Sequence, residues 1–265
     1  MIPKTMFFYW GGEKLSYLRL LSIHSFHKLN PEWDIKIYVP SSLSKKITWG
    51  TKEQSGKYTG EDYLLKSNYN VIPFDFTAIG ISNDTPEVYK SDLLRYYLLY
   101  KYGGFFSDTD IIYFKPMEVP EDCDTIVCYH RHFSIGLVGS CKENIIYGTL
   151  LHLGRQDLDS KRNYQAVGTK LFRNLTLPKL IELYPELKFH NLPMDVVYPV
   201  LSDKLEKIFE NNKNYTFPDE SIGLHWFGGS PESRVWENKI TPMKFDYDNI
   251  LGKALMRFKE WIKKH

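Results

Sequence analysis

Residues 89–110 read YKSDLLRYYLLYKYGGFFSDTD, and this stretch decides how the rest of the sequence is interpreted. Positions 89–102 predict a helix. It starts after Thr85-Pro86-Glu87, which offers a hydroxyl cap, a proline at the first helical position and an acid near the positive helix terminus. Gly103-Gly104 ends the helix, because glycine enters the left-handed C-cap conformation without steric cost. Residues 105–112 then alternate with period two, which predicts a strand with Asp108 and Asp110 on one face.

Two carboxylates this close together need a physical reason, because like charges on a mostly apolar strand repel each other and lose hydration. A hard divalent cation relieves both costs, since Mg²⁺ or Mn²⁺ takes carboxylate, diphosphate and water oxygens as ligands. Upstream, Asp92 and Arg95 are three residues apart and share one helix face, which suits a polar, hydroxyl-rich ligand. Taken singly, D-x-D is also common in solvated turns and an Asp-Arg pair is common on surfaces. The hypothesis therefore depends on the whole stretch.

The pattern S-D-x-x-R-Y-x-x-L-x-x-x-G-G-x-x-x-D-x-D resembles the DXD signature of glycosyltransferase family 32, which is similar to the catalytic domain of the large clostridial glucosylating toxins. The resemblance is dense over residues 89–116 and recurs at 2–12 and 223–236. It implies an α/β fold of the GT-A type, with a Rossmann-like mixed sheet flanked by helices. It also implies a nucleotide diphosphate sugar as donor, a Mn²⁺ or Mg²⁺ ion and retention of anomeric configuration.

The resemblance also assigns roles to single residues of the stretch. Asp110 is expected to hold the metal, and Asp108 is expected at the ribose and metal side. Asp92 and Arg95 are expected to bind hydroxyls of the donor sugar. All four count as catalytic candidates.

A second part of the expected site follows the first strand, residues 6–10, which is apolar and closes on Gly11-Gly12. Ligands of open α/β sheets bind beyond the carboxyl ends of the strands. A flat indole there can stack on a base, and glycine lets a ligand approach the backbone. In the toxins a similar strand ending in W-x-G-G holds the uracil, so Trp10 and Gly11 are the candidate base contacts. On position alone, Trp10 is equally well a core residue.

Residues 221–236, SIGLHWFGGSPESRVW, supply the third part. A histidine that leaves a strand before a glycine-rich turn can ligate a metal when its other nitrogen is held, and Mn²⁺ accepts such a mixed set better than Mg²⁺. His225 is therefore a candidate ligand, although a single histidine is more often a core group. The resemblance to an H-x-x-x-G-S-W-like pattern implies diphosphate contacts from Ser230 and Trp236. Here five residues separate those two, so either the loop is longer or another residue acts.

Length and composition predict one globular domain of 265 residues, with 25% charged and 43% hydrophobic residues. We expect a nucleotide-binding half at about 1–116 and an acceptor-side half at about 117–265. A net charge of +2 gives no support for a nucleic-acid partner. Three cysteines without a C-x-x-C pair indicate neither a disulfide framework nor a zinc site. No apolar run reaches the length of a signal peptide or a membrane span, which favours the cytoplasm.

The remaining patterns predict a βαβ unit and a series of shorter elements. Strands are expected at 6–10, 33–39, 71–72, 125–129, 135–139, 188–190 and 196–198, and helices at 15–29, 144–153, 165–175 and 251–264. Residues 201–214 are expected to form a helix followed by a polar loop, and residues 48–70 a polar loop or irregular helix. The sequence His130-Arg131-His132 is expected to line the acceptor side or to face solvent. The basic terminal helix either docks on the sheet or rests on anionic lipid at the inner face of a membrane.

The predicted function is a metal-dependent retaining hexosyltransferase that uses a nucleotide diphosphate sugar, with a UDP-sugar favoured. The expected acceptor is a saccharide or lipid-linked saccharide in bacterial surface polysaccharide or lipo-oligosaccharide synthesis. Two alternatives stay open: a toxin-like effector that glycosylates a host protein, and a catalytically silent nucleotide-sugar-binding module. A calcium loop is excluded, because Tyr113 and Val119 occupy the positions of its required glycine and closing glutamate.

Overall fold

The computed structural model describes residues 1–44, 58–158, 167–172 and 175–258. The strands are β1 Thr5–Tyr9, β2 Asp34–Pro40, β3 Val71–Phe74, β4 Gly104–Ser107, β5 Ile111–Tyr113, β6 Thr125–Tyr129, β7 Phe133–Ser140, β8 Phe189–Asn191 and β9 Gly223–His225. The helices are α1 Tyr17–Leu29, α2 Glu87–Tyr102, α3 Ile145–Asp157, α4 Leu177–Leu183, α5 Pro231–Lys239 and α6 Ile250–Met256. The order of elements begins with the predicted strand, helix and strand.

Seven strands form one mixed sheet in the order β3-β2-β1-β4-β7-β6-β8, and β5 pairs with β9 in a separate two-stranded ribbon. β1 runs parallel to both β2 and β4, whereas β7 is antiparallel to β4 and β6. Successive side chains of β1 enter two different apolar clusters, Met6 and Phe8 on one face and Phe7 and Tyr9 on the other. Burial on both faces explains why this strand is a continuous apolar run. The predicted α/β class, with a mixed sheet flanked by helices, is confirmed.

Along the chain, helix α2 lies between the edge strand β3 and the central strand β4. Its ends follow the predicted signals, with one shift. It begins at Glu87, with Pro86 at the N-cap position, so the predicted cap by the Thr85 hydroxyl is wrong. It ends where Gly103 and Gly104 both have positive φ, 68° and 109°. A Cβ on Gly103 would lie 2.6 Å from the backbone nitrogen of Lys142, so this position also needs glycine for space.

The strand predicted over 105–112 is wrong in its second half. β4 ends at Ser107, a turn follows, and β5 starts at Ile111 in the other sheet. The backbone N–H of Asp108 donates to Gly136 O of β7 at 2.8 Å, and Trp226 N–H donates to Asp110 O at 2.9 Å. Each aspartate is therefore held by a different sheet, because the chain crosses from one sheet to the other between them.

Several predicted elements of the C-terminal half are shorter or of another type. Three predicted elements contain turns of 3₁₀ helix instead. Thr169–Phe172 replaces the described part of the helix predicted at 165–175, and Met194–Val196 replaces the strand predicted at 196–198. Ser202–Ile208 replaces the helix predicted at the start of 201–214. The last of these is interrupted at Lys204, whose backbone is not helical. Of the predicted terminal helix, α6 is described, and its lysine-rich end at 259–265 lies outside the described residues, as do residues 48–57 of the predicted polar loop.

In the part of the chain that the structure describes, no helix is both long and apolar enough to cross a bilayer. The three cysteines are free thiols, and Cys123 and Cys128 are buried. Burial raises the pKa of the Cys128 thiol to about 12, which keeps it protonated and unreactive near neutral pH.

Candidate active site

A cavity of about 860 Å³ opens at the carboxyl ends of the parallel strands β1 and β4. Its size is that of an ordinary small-molecule site. Among the residues that line it are six of the candidates: Trp10, Gly11, Asp92, Arg95, Asp108 and Asp110. The parallel pairing of β1 with β4 explains this, because residues that follow parallel neighbours meet at the same edge of a sheet.

The three predicted metal ligands lie together at this cavity. One ligand atom from each of Asp108, Asp110 and His225 falls within 4.8 Å of the others. His225 Nε2 is 3.2 Å from Asp110 Oδ1 and 3.8 Å from Asp108 Oδ2. His225 reaches the aspartates because β9 pairs with β5, and Ile111 lies opposite His225 in that ribbon.

Two observations show that this cluster suits a divalent cation. Asp110 Oδ1 is fully buried and makes no well-aligned hydrogen bond among the described residues, its charged neighbour being His225 Nε2 at 3.2 Å, so a bound cation would complete its coordination. Gly136 of β7 also leaves room, since a Cβ there would lie 3.0 Å from Asp108 Oδ2 and 3.3 Å from His225 Cδ2. The donor set of two carboxylates and one imidazole is one that a divalent cation can use.

Hydrogen bonds fix the other ligand atoms. The Phe227 backbone N–H donates to His225 Nδ1 at 3.2 Å, and the Gly228 N–H donates to Asp110 Oδ2 at 2.7 Å. Burial opposes the charge on His225, but the Asp110 and Asp108 carboxylates outweigh burial and raise its pKa to about 9. Burial likewise opposes ionisation of Asp110, yet His225, Arg19 and the Gly228 N–H hold the pKa of Asp110 well below its usual range.

Arg95 links Asp92, its partner on α2, to Asp108 of the Asp108–Asp110–His225 cluster. Its Nη1 donates to Asp92 Oδ1 at 2.8 Å and its Nη2 donates to Asp108 Oδ1 at 2.6 Å. One guanidinium thus serves two carboxylates. Burial raises the pKa of Asp92 to about 7, with Arg95 opposing the shift and Asp108 adding to it. The predicted proximity of Asp92 and Arg95 on one helix face is confirmed.

The predicted base contacts also line the cavity. The Trp10 ring lies over the Arg19 guanidinium at 4.6 Å. Gly11 lies against Glu87, since a Cβ there would come within 2.7 Å of Glu87 Oε2. Glu87 is itself held by three donors: Tyr9 Oη, the Ser44 N–H and Lys90 Nζ.

The structure does not bring every candidate to the cavity. Trp236 is buried in α5 and stacks on Phe209, with the ring planes 14° apart. Ser230 lies at the start of α5, and of that turn Gly228 and Gly229 are the residues that line the cavity. The exposed residues 130–132 form the turn between β6 and β7, outside the cavity lining.

Four residues at the cavity or the metal cluster were not predicted as site residues from the sequence. Arg19, Glu87 and Glu237 line the cavity, and Gly136 borders the metal cluster. Arg19 and Glu237 are 218 positions apart in the sequence, yet they form a two-point ion pair. Such long-range pairing leaves no local pattern in the sequence. Gly136 could be read only as a glycine of the predicted strand at 135–139, with nothing to indicate that it borders the metal cluster.

A family model matches residues 22–130, and it is described as a glycosyltransferase sugar-binding region containing a DXD motif. The matched region extends from α1 to β6 and includes Asp92, Arg95 and both aspartates of the metal cluster. The match covers less than half of the chain, and within it the DXD motif is Asp108-Thr109-Asp110. Together with the mixed sheet described above, it supports a glycosyltransferase of the GT-A type. No curated protein sequence matches the chain.

Three solved structures illustrate what the DXD glycosyltransferase is similar to. PaToxG glycosyltransferase is 21% identical, with 69% of this chain and 74% of that chain covered and a TM-score of 0.49. An active-site mutant of LgtC is 13% identical, with 98% and 95% covered and a TM-score of 0.46. The glycosyltransferase GlyE of Streptococcus pneumoniae TIGR4 is 12% identical, with 99% and 64% covered and a TM-score of 0.41.

Proposed function

We propose that this DXD glycosyltransferase transfers a hexose from a nucleotide diphosphate sugar, with UDP as the favoured nucleotide, to an acceptor hydroxyl with retention of configuration. The observation that carries the proposal is the cluster of Asp108, Asp110 and His225, whose two aspartates line the same cavity as the Asp92–Arg95 pair. A metal cluster beside a hydroxyl-binding pair fits a substrate that joins a diphosphate to a sugar.

Different residues are proposed to bind different parts of the nucleotide diphosphate sugar. Asp108, Asp110 and His225 would hold Mn²⁺ or Mg²⁺, which, when bound, supplies Lewis-acid stabilisation of a diphosphate leaving group. Asp92 and Arg95 orient the sugar hydroxyls. Arg95 Nε is buried and donates to no group in the described part of the chain, so Nη1 and Nη2 hold the guanidinium in place through Asp92 and Asp108. Trp10 and Gly11 form the base side.

Retention by front-face attack is the proposed stereochemical course. Double displacement requires an unencumbered carboxylate as nucleophile, but each of the six acids that line the cavity, Glu13 included, has a partner. Arg95 binds Asp92 and Asp108, the Gly228 N–H binds Asp110, Arg19 binds Glu237, and three donors bind Glu87. The leaving phosphate is therefore the group that we expect to accept the acceptor proton.

The acceptor is proposed to approach from the part of the cavity formed by residues 117–265, with residues 1–116 as the nucleotide-binding half. Ile135, Gly168 and Thr169 line this side. A Cβ on Gly168 would lie 2.6 Å from Asp92 Oδ2, so the wall here is backbone close to the sugar-binding pair. The Thr169 side chain and the Gly168 backbone offer polar groups to a saccharide acceptor, and we propose one from bacterial surface polysaccharide or lipo-oligosaccharide synthesis in the cytoplasm.

The proposal is tested with a panel of UDP- and GDP-sugars in the presence of Mn²⁺, scored by release of free nucleotide. Asp110→Ala is the test variant. Asp122→Ala is the matched control, because Asp122 is an exposed acid paired with Lys188. Metal-dependent turnover of one donor, lost in Asp110→Ala and kept in Asp122→Ala, supports the transferase. Metal-dependent binding of a donor without hydrolysis or transfer to any saccharide would instead favour the silent binding module.

A further inference from the structure

Arg19 of α1 is a buried cation behind the metal cluster, with 8% of its surface exposed. Its guanidinium donates four hydrogen bonds. Nε and Nη2 bind the two carboxylate oxygens of Glu237 at 3.1 and 2.9 Å, Nη1 binds Thr109 Oγ1 at 3.0 Å, and Nη2 also binds Gly228 O at 3.1 Å. These contacts reach α5, the DXD turn and the turn after His225.

Two of these contacts hold the two halves of the metal cluster at a fixed separation. Thr109 is the residue between the two aspartates. Gly228 accepts from Arg19 through its carbonyl and donates through its N–H to Asp110 Oδ2 at 2.7 Å. A single rigid guanidinium therefore sets where the DXD turn lies relative to the turn that follows His225. Its planar donor geometry makes this a directional constraint.

The same side chain contacts the base side of the cavity. The guanidinium carbon lies 4.6 Å from the centre of the Trp10 ring and 5.0 Å from that of Trp226. These distances are those of cation–π contacts. The position of the predicted base-stacking indole is thus tied to the same group that positions the metal cluster.

A purely structural ion pair with Glu237 is the plain alternative. Buried ion pairs are weak sources of stability, because desolvation of both charges offsets their attraction. Binding of Glu237 uses only two of the five guanidinium N–H groups. The two donors that reach Thr109 and Gly228 are not needed to neutralise Glu237, and both end at the metal cluster.

We propose that Arg19 is a positioning residue for the metal cluster, which acts through Thr109 and Gly228 to set the affinity for the divalent cation. The inference rests on the metal site of the proposed function. Groups that orient metal ligands without touching the metal commonly change metal affinity by about 10- to 100-fold when removed. Arg19 is expected to fall in this range.

The test measures the Mn²⁺ dissociation constant without nucleotide, by electron paramagnetic resonance of free Mn²⁺. Arg19→Lys keeps a charge for Glu237 but loses the planar fork, and Thr109→Val removes one acceptor. Each is expected to weaken Mn²⁺ binding, Arg19→Lys by about tenfold or more. The double variant is expected to be no weaker than Arg19→Lys alone, because both changes break the same contact.

Two controls separate positioning from general stability. Arg155→Lys makes the same substitution on α3, away from the cavity lining, and Ile37→Val destabilises the core of β2. Both are expected to leave the Mn²⁺ dissociation constant unchanged, although Ile37→Val lowers the melting temperature. An unchanged constant in Thr109→Val, or additive losses in the double variant, would overturn the inference. Absence of Mn²⁺ binding by the wild type would overturn the metal site itself.

Discussion

The Phe227 backbone N–H donates to Nδ1 of His225, at 3.2 Å, while Nε2 of the same ring faces the two aspartates of the DXD motif. An Nδ1 that accepts describes the neutral ring, with its one proton on Nε2; the aspartates, which raise the pKa of His225 to about 9, favour a second proton on the ring below that pH. Ligation of a metal by Nε2 requires the opposite tautomer, with the proton on Nδ1 pointing at another N–H. Phe227 is also a non-glycine residue with a φ of 51°, a backbone conformation that such residues seldom adopt.

We therefore expect the Phe227 amide to turn away from His225 when a metal binds. The measurement is ¹⁵N NMR of the histidine rings and of the Phe227 amide during a titration with Mg²⁺. On ligation, Nε2 of His225 should lose its proton and Nδ1 should carry one, and the Phe227 amide signal should shift. His152, exposed on α3 outside the cavity lining, is the control ring. Ring signals of His225 that stay constant at saturating Mg²⁺ would rule it out as a ligand.

Gly136 tests whether the space within the metal cluster is needed. A Cβ there would lie 2.6 Å from Tyr198 Oη and 3.0 Å from Asp108 Oδ2. Gly136→Ala is expected to weaken Mn²⁺ binding by at least about tenfold and to lower the free energy of unfolding by about 1–3 kcal/mol through overpacking. Isothermal titration with Mn²⁺ and urea unfolding give the two quantities.

Gly148→Ala is the matched control for this substitution. Its Cβ would lie 3.0 Å from the ring of Tyr100, which is partly exposed and can move. We expect normal Mn²⁺ affinity in this variant. If Gly136→Ala also binds Mn²⁺ normally, the cation lies elsewhere in the cavity.

The sequence predicts some parts of this site well because their geometry is local. Asp92 and Arg95 meet because a helix places positions three apart on one face. Asp108 and Asp110 converge, but for a different reason from the one predicted: the chain turns between two sheets there, and a period-two pattern carries no information about that change. The glycine pair at 103–104 marks the preceding turn correctly, because its backbone needs positive φ.

Other parts depend on contacts between residues that are distant in sequence. The Arg19–Glu237 pair forms only after α1 and α5 pack together. Trp236 matched a sequence pattern, but its ring stacks on Phe209 instead of reaching the cavity. In the C-terminal half, short apolar segments that looked like helices and strands are 3₁₀ turns, because tertiary packing overrides weak local preferences in short segments.

Arg95 is expected to be more important for catalysis than its charge alone suggests. It spans Asp92 and Asp108 with two different nitrogens, which a lysine ammonium cannot reproduce. Arg95→Lys should lower kcat/KM for donor turnover by about 10- to 100-fold, the loss expected for a charged hydrogen bond of about 1.5–3 kcal/mol. Steady-state kinetics with the active donor measure this. A variant with kcat/KM close to wild type would show that Arg95 is needed for folding only.

The raised pKa of Asp92 leads to a prediction of how the free energy of unfolding depends on pH. Its pKa is raised to about 7 by burial, whereas an aspartate in an unfolded chain titrates near about 3.9. Between these values the folded state binds more protons than the unfolded state, so the free energy of unfolding contributed by this group falls as pH rises from about 4 to about 7. The full shift corresponds to at most about 4 kcal/mol. Asp92→Asn cannot ionise, so it removes this pH dependence.

The variant is therefore expected to gain stability relative to wild type between about pH 5 and about pH 8, measured by urea unfolding in the presence of EDTA. Asp75→Asn is the control, because Asp75 is an exposed N-cap whose pKa is lowered by the Thr77 N–H. Asp75 is fully ionised over this whole range in both states, so its variant should show a constant difference from wild type. A constant difference for Asp92→Asn as well would mean that Arg95 keeps Asp92 ionised, and that the sugar-binding pair is a full ion pair at neutral pH.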